Sequence, residues 1–152
     1  LRKTEYHKNV RHRLRHLFYS FRLHRLQNRH ALHIPLNVCG KGLKVMHLGP
    51  VLIHKDARIG QNCTLHMNTS IVAHGRSGDA PVLGDGIVVG VGAVVLGGVT
   101  LADHIAIGAY AVVNRSFEEE DIAIAGVPAK KISDHGRLSW SSKKGTQDSL
   151  NR

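Results

Sequence analysis

From Ile53 to Val113 an aliphatic side chain recurs every sixth residue with one interruption: Ile53, Ile59, Leu65 and Ile71, then Leu83, Val89, Val95, Leu101, Ile107 and Val113. Four residues after most of these stands a small or β-branched residue (Ala57, Cys63, Thr69, Ile87, Ala93, Val99, Ile105, Ala111), and Gly60, Gly84, Gly90 and Gly108 directly follow four of the aliphatics. A period of six matches neither an α-helix nor a plain strand. It predicts a parallel β-helix, in which each hexapeptide forms one short strand and a corner and three of them make a turn of about eighteen residues. The aliphatic residue then points into a triangular prism, the small residue fits beside its copies at a corner, and stacked turns share one continuous core. A β-sandwich with loose alternation leaves ten in-phase aliphatics unexplained.

The flanks depart from this period. Tyr6, Val10, Leu14, Leu17, Phe18 and Phe21 follow helical spacing with basic residues between them, which predicts one helix over residues 1–31. Pro35 ends any helix before it, so the chain divides into a basic helical segment at 1–33, a β-helix at 34–132 and a tail at 133–152. Within the β-helix, residues 40–52 form a less regular turn. Residues 73–81 (Ala-His-Gly-Arg-Ser-Gly-Asp-Ala-Pro) are polar and Gly-rich, and predict a loop extruded from the prism. Regular turns end near Val113, and the polar, aperiodic tail reads as flexible. The fold class expected is all-β, with a helical N-terminal segment.

Composition changes this picture in one place. The formal charge of +10 is concentrated in residues 1–33, where nine Lys and Arg face one acid, Glu5. A basic amphipathic helix with Leu and Phe on one face suits an anionic membrane surface, or packing on its own oligomer. A nucleic-acid partner is not expected, since nothing else in the chain reads bases. No run of about twenty apolar residues predicts a transmembrane helix. Two cysteines make no disulfide framework; Cys63 falls on a corner position as a buried thiol, and Cys39 reads similarly. A reducing, cytoplasmic setting is expected, peripheral to the inner membrane if the helix binds there.

Several local segments carry a resemblance: Ile34-Pro35, Gly40-Lys41-Gly42-Leu43, Met46-His47-Leu48-Gly49, Ala57-Arg58-Ile59-Gly60, the loop ending Ala80-Pro81, and Ala125-Gly126-Val127-Pro128-Ala129-Lys130. On these, the chain resembles bacterial acyltransferases of the left-handed β-helix superfamily. More narrowly, it is similar to the serine acetyltransferase-like branch, which includes capsule and exopolysaccharide O-acetyltransferases. The resemblance spans roughly residues 30–133. It implies a left-handed coil, a homotrimer with active sites between subunits, acetyl-CoA as donor and a hydroxyl acceptor attacked directly in a ternary complex.

Such chemistry needs a base for the hydroxyl proton, a role suited to histidine, and a donor for the developing oxyanion. His47 aligns with the family's catalytic His segment and is the expected base. His66 follows the inward Leu65, so it should face outward into a groove between subunits as a further catalytic candidate, and His54 shares that register as a candidate substrate contact. In the loop, His74 and Asp79 are the residues expected to contact acceptor or orient a base. The resemblance further implies backbone contacts to the pantetheine arm at Gly97, Gly98, Ala106 and Ala111, and pairing of Lys130 and Lys131 with CoA phosphates.

This chain departs from the serine acetyltransferase pattern at informative positions. Met46 stands where an Asp precedes the family's His, Leu32 and His33 fall near the position of its orienting acid, and Ala80 replaces a loop His. On that basis a sugar hydroxyl in surface-polysaccharide synthesis is the expected acceptor, with serine O-acetylation on the way to cysteine as the alternative. No metal is expected. The γ-type carbonic anhydrases share the coil and bind zinc through three histidines, but their His pair is missing from the later turns. A scaffold that has lost its chemistry would bind no acetyl-CoA.

Overall fold

The computed structural model describes residues 1–138. Residues 139–152, most of the expected flexible tail, lie outside the described residues. Two helices, α1 (Arg2–Asn9) and α2 (Arg13–Arg29), lead into fourteen short strands. In chain order these are β1 (Leu32–His33), β2 (Lys44–Met46), β3 (Val51–Ile53), β4 (Arg58–Ile59), β5 (Thr64–His66), β6 (Thr69–Val72), β7 (Val82–Leu83), β8 (Val88–Val89), β9 (Val94–Leu96), β10 (Thr100–Leu101), β11 (Ala106–Ile107), β12 (Val112–Val113), β13 (Ala123–Ala125) and β14 (Lys130–Ser133).

Three sheets form the sides of the prism: β1-β3-β6-β9-β12, β4-β7-β10, and β2-β5-β8-β11-β13-β14. Every pairing is parallel except β13 with β14, which closes the C-terminal end in antiparallel fashion. Residues eighteen apart are neighbours, as Val88↔Ala106 and Val94↔Val112 show. All ten sixth-residue aliphatics are buried, none more than 4% exposed, and Ala57, Cys63, Ile87, Ala93, Ile105 and Ala111 are fully buried beside them. Each such Val, Leu or Ile contributes roughly 1.5–3 kcal/mol by leaving water.

The interruption at 73–81 shows directly in the register. Ser70 pairs with Val94, 24 residues on, and Arg58 with Val82, also 24 residues on. The loop therefore inserts six residues beyond a standard turn and leaves the coil in phase on both sides. The coil also begins two residues earlier than expected, because Leu32 and His33 already pair with Val51 and Leu52. It continues past Val113: Phe117 bridges to Leu101 and β13 pairs with β11. Phe117, Ile122 and Ile124 fill that last turn at irregular spacing, which hides them from a six-residue reading.

The corners explain the glycines. The Asp85 carboxylate accepts the Gln61 N–H and the Asp103 carboxylate accepts the Asp85 N–H, both at 2.7 Å, so each turn's corner is tied to the next. That close stacking leaves no room for a Cβ at Gly60, which would sit 2.5 Å from the Gly84 carbonyl carbon.

The single expected N-terminal helix is two. The chain turns at Val10-Arg11-His12, with Arg11 in the left-handed region at φ 56°. The break lets α1 fold back on α2 and dock on the first turn of the coil. Glu5, only 5% exposed, accepts the Asn37 N–H at 2.8 Å and pairs with Arg2, whose guanidinium donates to the Cys39 carbonyl at 2.9 Å.

Two stability measurements test this packing. Gly60→Ala should lower unfolding free energy by about 1–3 kcal/mol through overpacking, whereas Gly75→Ala, with nothing within 4 Å of its Cβ position, should change it by less than about 0.5 kcal/mol; denaturant unfolding of both reads the difference. Burial raises the thiols of Cys39 and Cys63 from 9.0 to about 11. The folded state then holds these protons more tightly than the unfolded chain, so their contribution is fully present below pH 9 and is lost as pH rises from about 9 to about 11. A Cys39→Ala/Cys63→Ala variant should show a shallower loss of stability across that window.

Candidate functional site

β2 and β5 lie side by side in register, with Met46 opposite His66. His66 ends β5 and His47 directly follows β2, so both histidines reach the same corner of the prism. Their ring centroids are 6.0 Å apart with planes inclined by 37°. His47 is exposed and sits at φ 67°, in the left-handed region that non-Gly residues enter only in a tight turn. His66 is half-buried, and its carbonyl accepts the hydroxyl of the buried Thr69, which holds the chain as it turns into β6. Among the described residues neither imidazole bonds a carboxylate.

His66 also borders a groove of about 310 Å³ that runs across β8, β11 and β13. Its walls are small and apolar: Val88, Gly90, Val91, Ala106, Gly108 and Ala109, with Ile132 at the edge. Most backbone amides here serve the ladder, including those of Gly90, Ala106 and Gly108. Val91 and Ala109 are different. They stand eighteen residues apart, at the same corner of adjacent turns, and among the described residues their N–H groups have no acceptor. The groove thus offers an apolar trough with two repeating amide donors, ending at His66.

A second cluster lies at the base of the protruding loop. His74, Arg76, Ser77 and Asp79 meet Gly97, Gly98 and Asn114-Arg115-Ser116 around a polar pocket of about 620 Å³. Within the loop the His74 N–H donates to the Asp79 carbonyl at 2.9 Å, and His74 Nδ1 accepts the N–H groups of Arg76 and Ser77. His74 therefore closes the loop on itself. The two cavities share no lining residue.

No protein-family model matches the chain. A serine acetyltransferase of Helicobacter pylori strain J99 is 34% identical over 96 residues, covering 62% of this chain and 56% of that protein. One from Synechococcus elongatus is 30% identical over 95 residues, covering 61% and 38%. The solved serine acetyltransferase of Neisseria gonorrhoeae superposes with a TM-score of 0.60 at 28% identity, covering 77% of this chain and 44% of that one. A serine acetyltransferase in complex with cysteine reaches 0.67 at 22% identity, covering 86% and 54%. The chain is similar to the serine acetyltransferases. Its fold is the left-handed parallel β-helix of those acyltransferases, with the N-terminal helices included. The chain spans between about two fifths and just over half the length of the curated relatives named here.

The structure brings some expected residues together and separates others. His47 and His66 share a corner, and Ala106 lines the groove beside them. Gly97 and Gly98 do not line that groove; they underlie the loop with His74 and Asp79. Ala111 is corrected outright. Its side chain is fully buried in the core, its N–H donates to Gly108 and its carbonyl accepts from Val94, so nothing of it is left for a ligand. Ala106 has also committed its N–H, to Ile122. The free amides belong to Val91 and Ala109, each directly after a periodic glycine; that eighteen-residue recurrence was the sequence signal available for them.

His54 borders neither cavity. Its Nδ1 accepts the Asp56 N–H at 3.3 Å and closes a local turn. Lys131 is engaged too: its ammonium lies 2.5 Å from both Asp134 and Glu119, which raise its pKa. Lys130 is exposed and makes no ion pair among the described residues. Among the described residues no three His, Cys, Asp or Glu side chains are placed to hold a metal.

Proposed function

We propose that this coil carries an acetyl-CoA-dependent O-acetyltransferase site, with serine as the first acceptor to consider. The observation that carries the reading is the exposed His47 beside His66, at the mouth of a narrow apolar groove with two unengaged amides. A pantetheine arm is slender, apolar and punctuated by amides, so it suits the trough, with its carbonyls accepting from Val91 and Ala109. The thioester then lies at the histidine corner. His47 takes the acceptor's hydroxyl proton as its oxygen attacks the acetyl carbonyl. Collapse of the tetrahedral species breaks the carbon–sulfur bond, and the thiolate leaves with the proton held by the imidazolium. Lys130, which makes no ion pair among the described residues, is the better placed of the two lysines for a CoA phosphate.

The relatives named above are serine acetyltransferases, and solved serine acetyltransferases include complexes with serine, with cysteine and with CoA. They favour serine over the sugar acceptor expected from sequence. One observation keeps the sugar as a second reading: among the described residues no carboxylate contacts His47 or His66, so these residues offer an amino acid's ammonium no counter-charge at that corner. A homotrimer would answer this by setting one subunit's loop, with Asp79, against another subunit's histidine corner. The separation of the two clusters within a single chain supports that arrangement.

The test is thiol release from acetyl-CoA with L-serine and with a panel of sugars. His47→Ala should slow turnover by about 10²–10⁴-fold, and Asp79→Asn should raise KM for serine while leaving sugar turnover unchanged. Turnover with sugars alone would transfer the assignment to the second reading. Full activity in His47→Ala would remove His47 as the base.

A further inference from the structure

α2 has no buried residue, although it carries four large apolar side chains at i, i+3, i+4 and i+7 spacing. Leu14 is 85% exposed, Leu17 68%, Phe18 57% and Phe21 62%. That spacing places them in one stripe about 100° wide along the helix. The same helix holds Arg13, Arg15, Arg22, Arg25 and Arg29 and contains no acid. Arg22 lies 5.9 Å over the Phe18 ring and Arg25 5.8 Å over the Phe21 ring, so guanidinium groups border the apolar stripe directly. The inner side of the helix pair is already committed: Gln27 donates to the Ile34 carbonyl at 2.7 Å, and Glu5 and Arg2 of α1 hold the first turn of the coil. The stripe is therefore carried on an anchored helix.

We propose that this face of α2 docks on an anionic phospholipid surface, with Leu14, Leu17, Phe18 and Phe21 entering the acyl boundary and the arginines meeting lipid phosphates. Two features select this occupant. A soluble helix with a wide apolar stripe and a cationic border matches interfacial helices that lie in the membrane plane. A second α2 is disfavoured, because packing two such faces together sets arginine against arginine with no acid in either helix to compensate. The proposal concerns where the protein sits and is independent of the acetyl-transfer reading.

The test is co-sedimentation of the full chain with vesicles of phosphatidylglycerol mixed with phosphatidylcholine, and with vesicles of phosphatidylcholine alone. Oligomeric mass is followed in parallel by light scattering. Binding should require phosphatidylglycerol and weaken with salt. It should fall at least about tenfold in Leu17→Ser/Phe18→Ser and separately in Arg22→Gln/Arg25→Gln, with mass unchanged. Equal binding to neutral vesicles, no binding to either, or unchanged binding in both variants would overturn it. So would a shift in oligomeric mass in the variants, which would make the stripe a contact between subunits.

Discussion

In the regular turns of this prism each position lies directly beneath the position eighteen residues later, and nearly everything else follows from that stacking. Hydrogen bonds to the turns above and below hold each short strand, which alone would be too short to persist. The stacking demands aliphatics at one position, small residues at the corner, and glycine where one turn's backbone presses on the next. Gly60 and Gly84 stand where the Asp85 and Asp103 carboxylates cross between turns. Tolerance is low at such points and high where the chain leaves the stack. A loop inserted as six extra residues preserves phase; other lengths would put the following aliphatics out of line.

The same stacking builds the candidate site. Because turns are in register, a corner residue meets its counterparts in the adjacent turns, and a feature of one turn becomes a row. His47 and His66 are such a row, coming from β2 and β5. The unengaged N–H groups of Val91 and Ala109 are another, one turn apart. On the groove wall Gly90 and Gly108 stand where an added Cβ would press on the next turn. Chemistry and architecture thus draw on one repeat.

The coil was legible because its six-residue period is unlike that of any other regular structure. The ten aliphatics and the loop at 73–81 could both be placed from residue order, whereas the meeting of His47 and His66 depends on the pairing of β2 with β5. What could not be read lies where the period gives out. Phe117, Ile122 and Ile124 extend the core at irregular intervals, and the break at Arg11 turns one amphipathic pattern into two helices. Ala111 was expected only as a backbone contact carried over from the resemblance; its interior corner position follows from the period, but the engagement of its N–H with Gly108 and its carbonyl with Val94 does not. Amide occupancy depends on which neighbours the ladder has already claimed, so the recurrence after glycine marks Val91 and Ala109 in the sequence but only the folded register leaves their N–H groups unclaimed.

The central claim is that the trough across β8, β11 and β13 receives the arm of CoA and delivers it to His66 and His47. Ala109 is exposed on its wall, so Ala109→Trp should fill the trough without disturbing the core. Calorimetric titration of CoA into the wild type and this variant, with unfolding curves for both, is the most direct test. The account predicts binding by the wild type, at least about tenfold weaker binding by the variant, and matching unfolding curves. Equal affinity in a fully folded variant would contradict it and place the donor elsewhere on the coil.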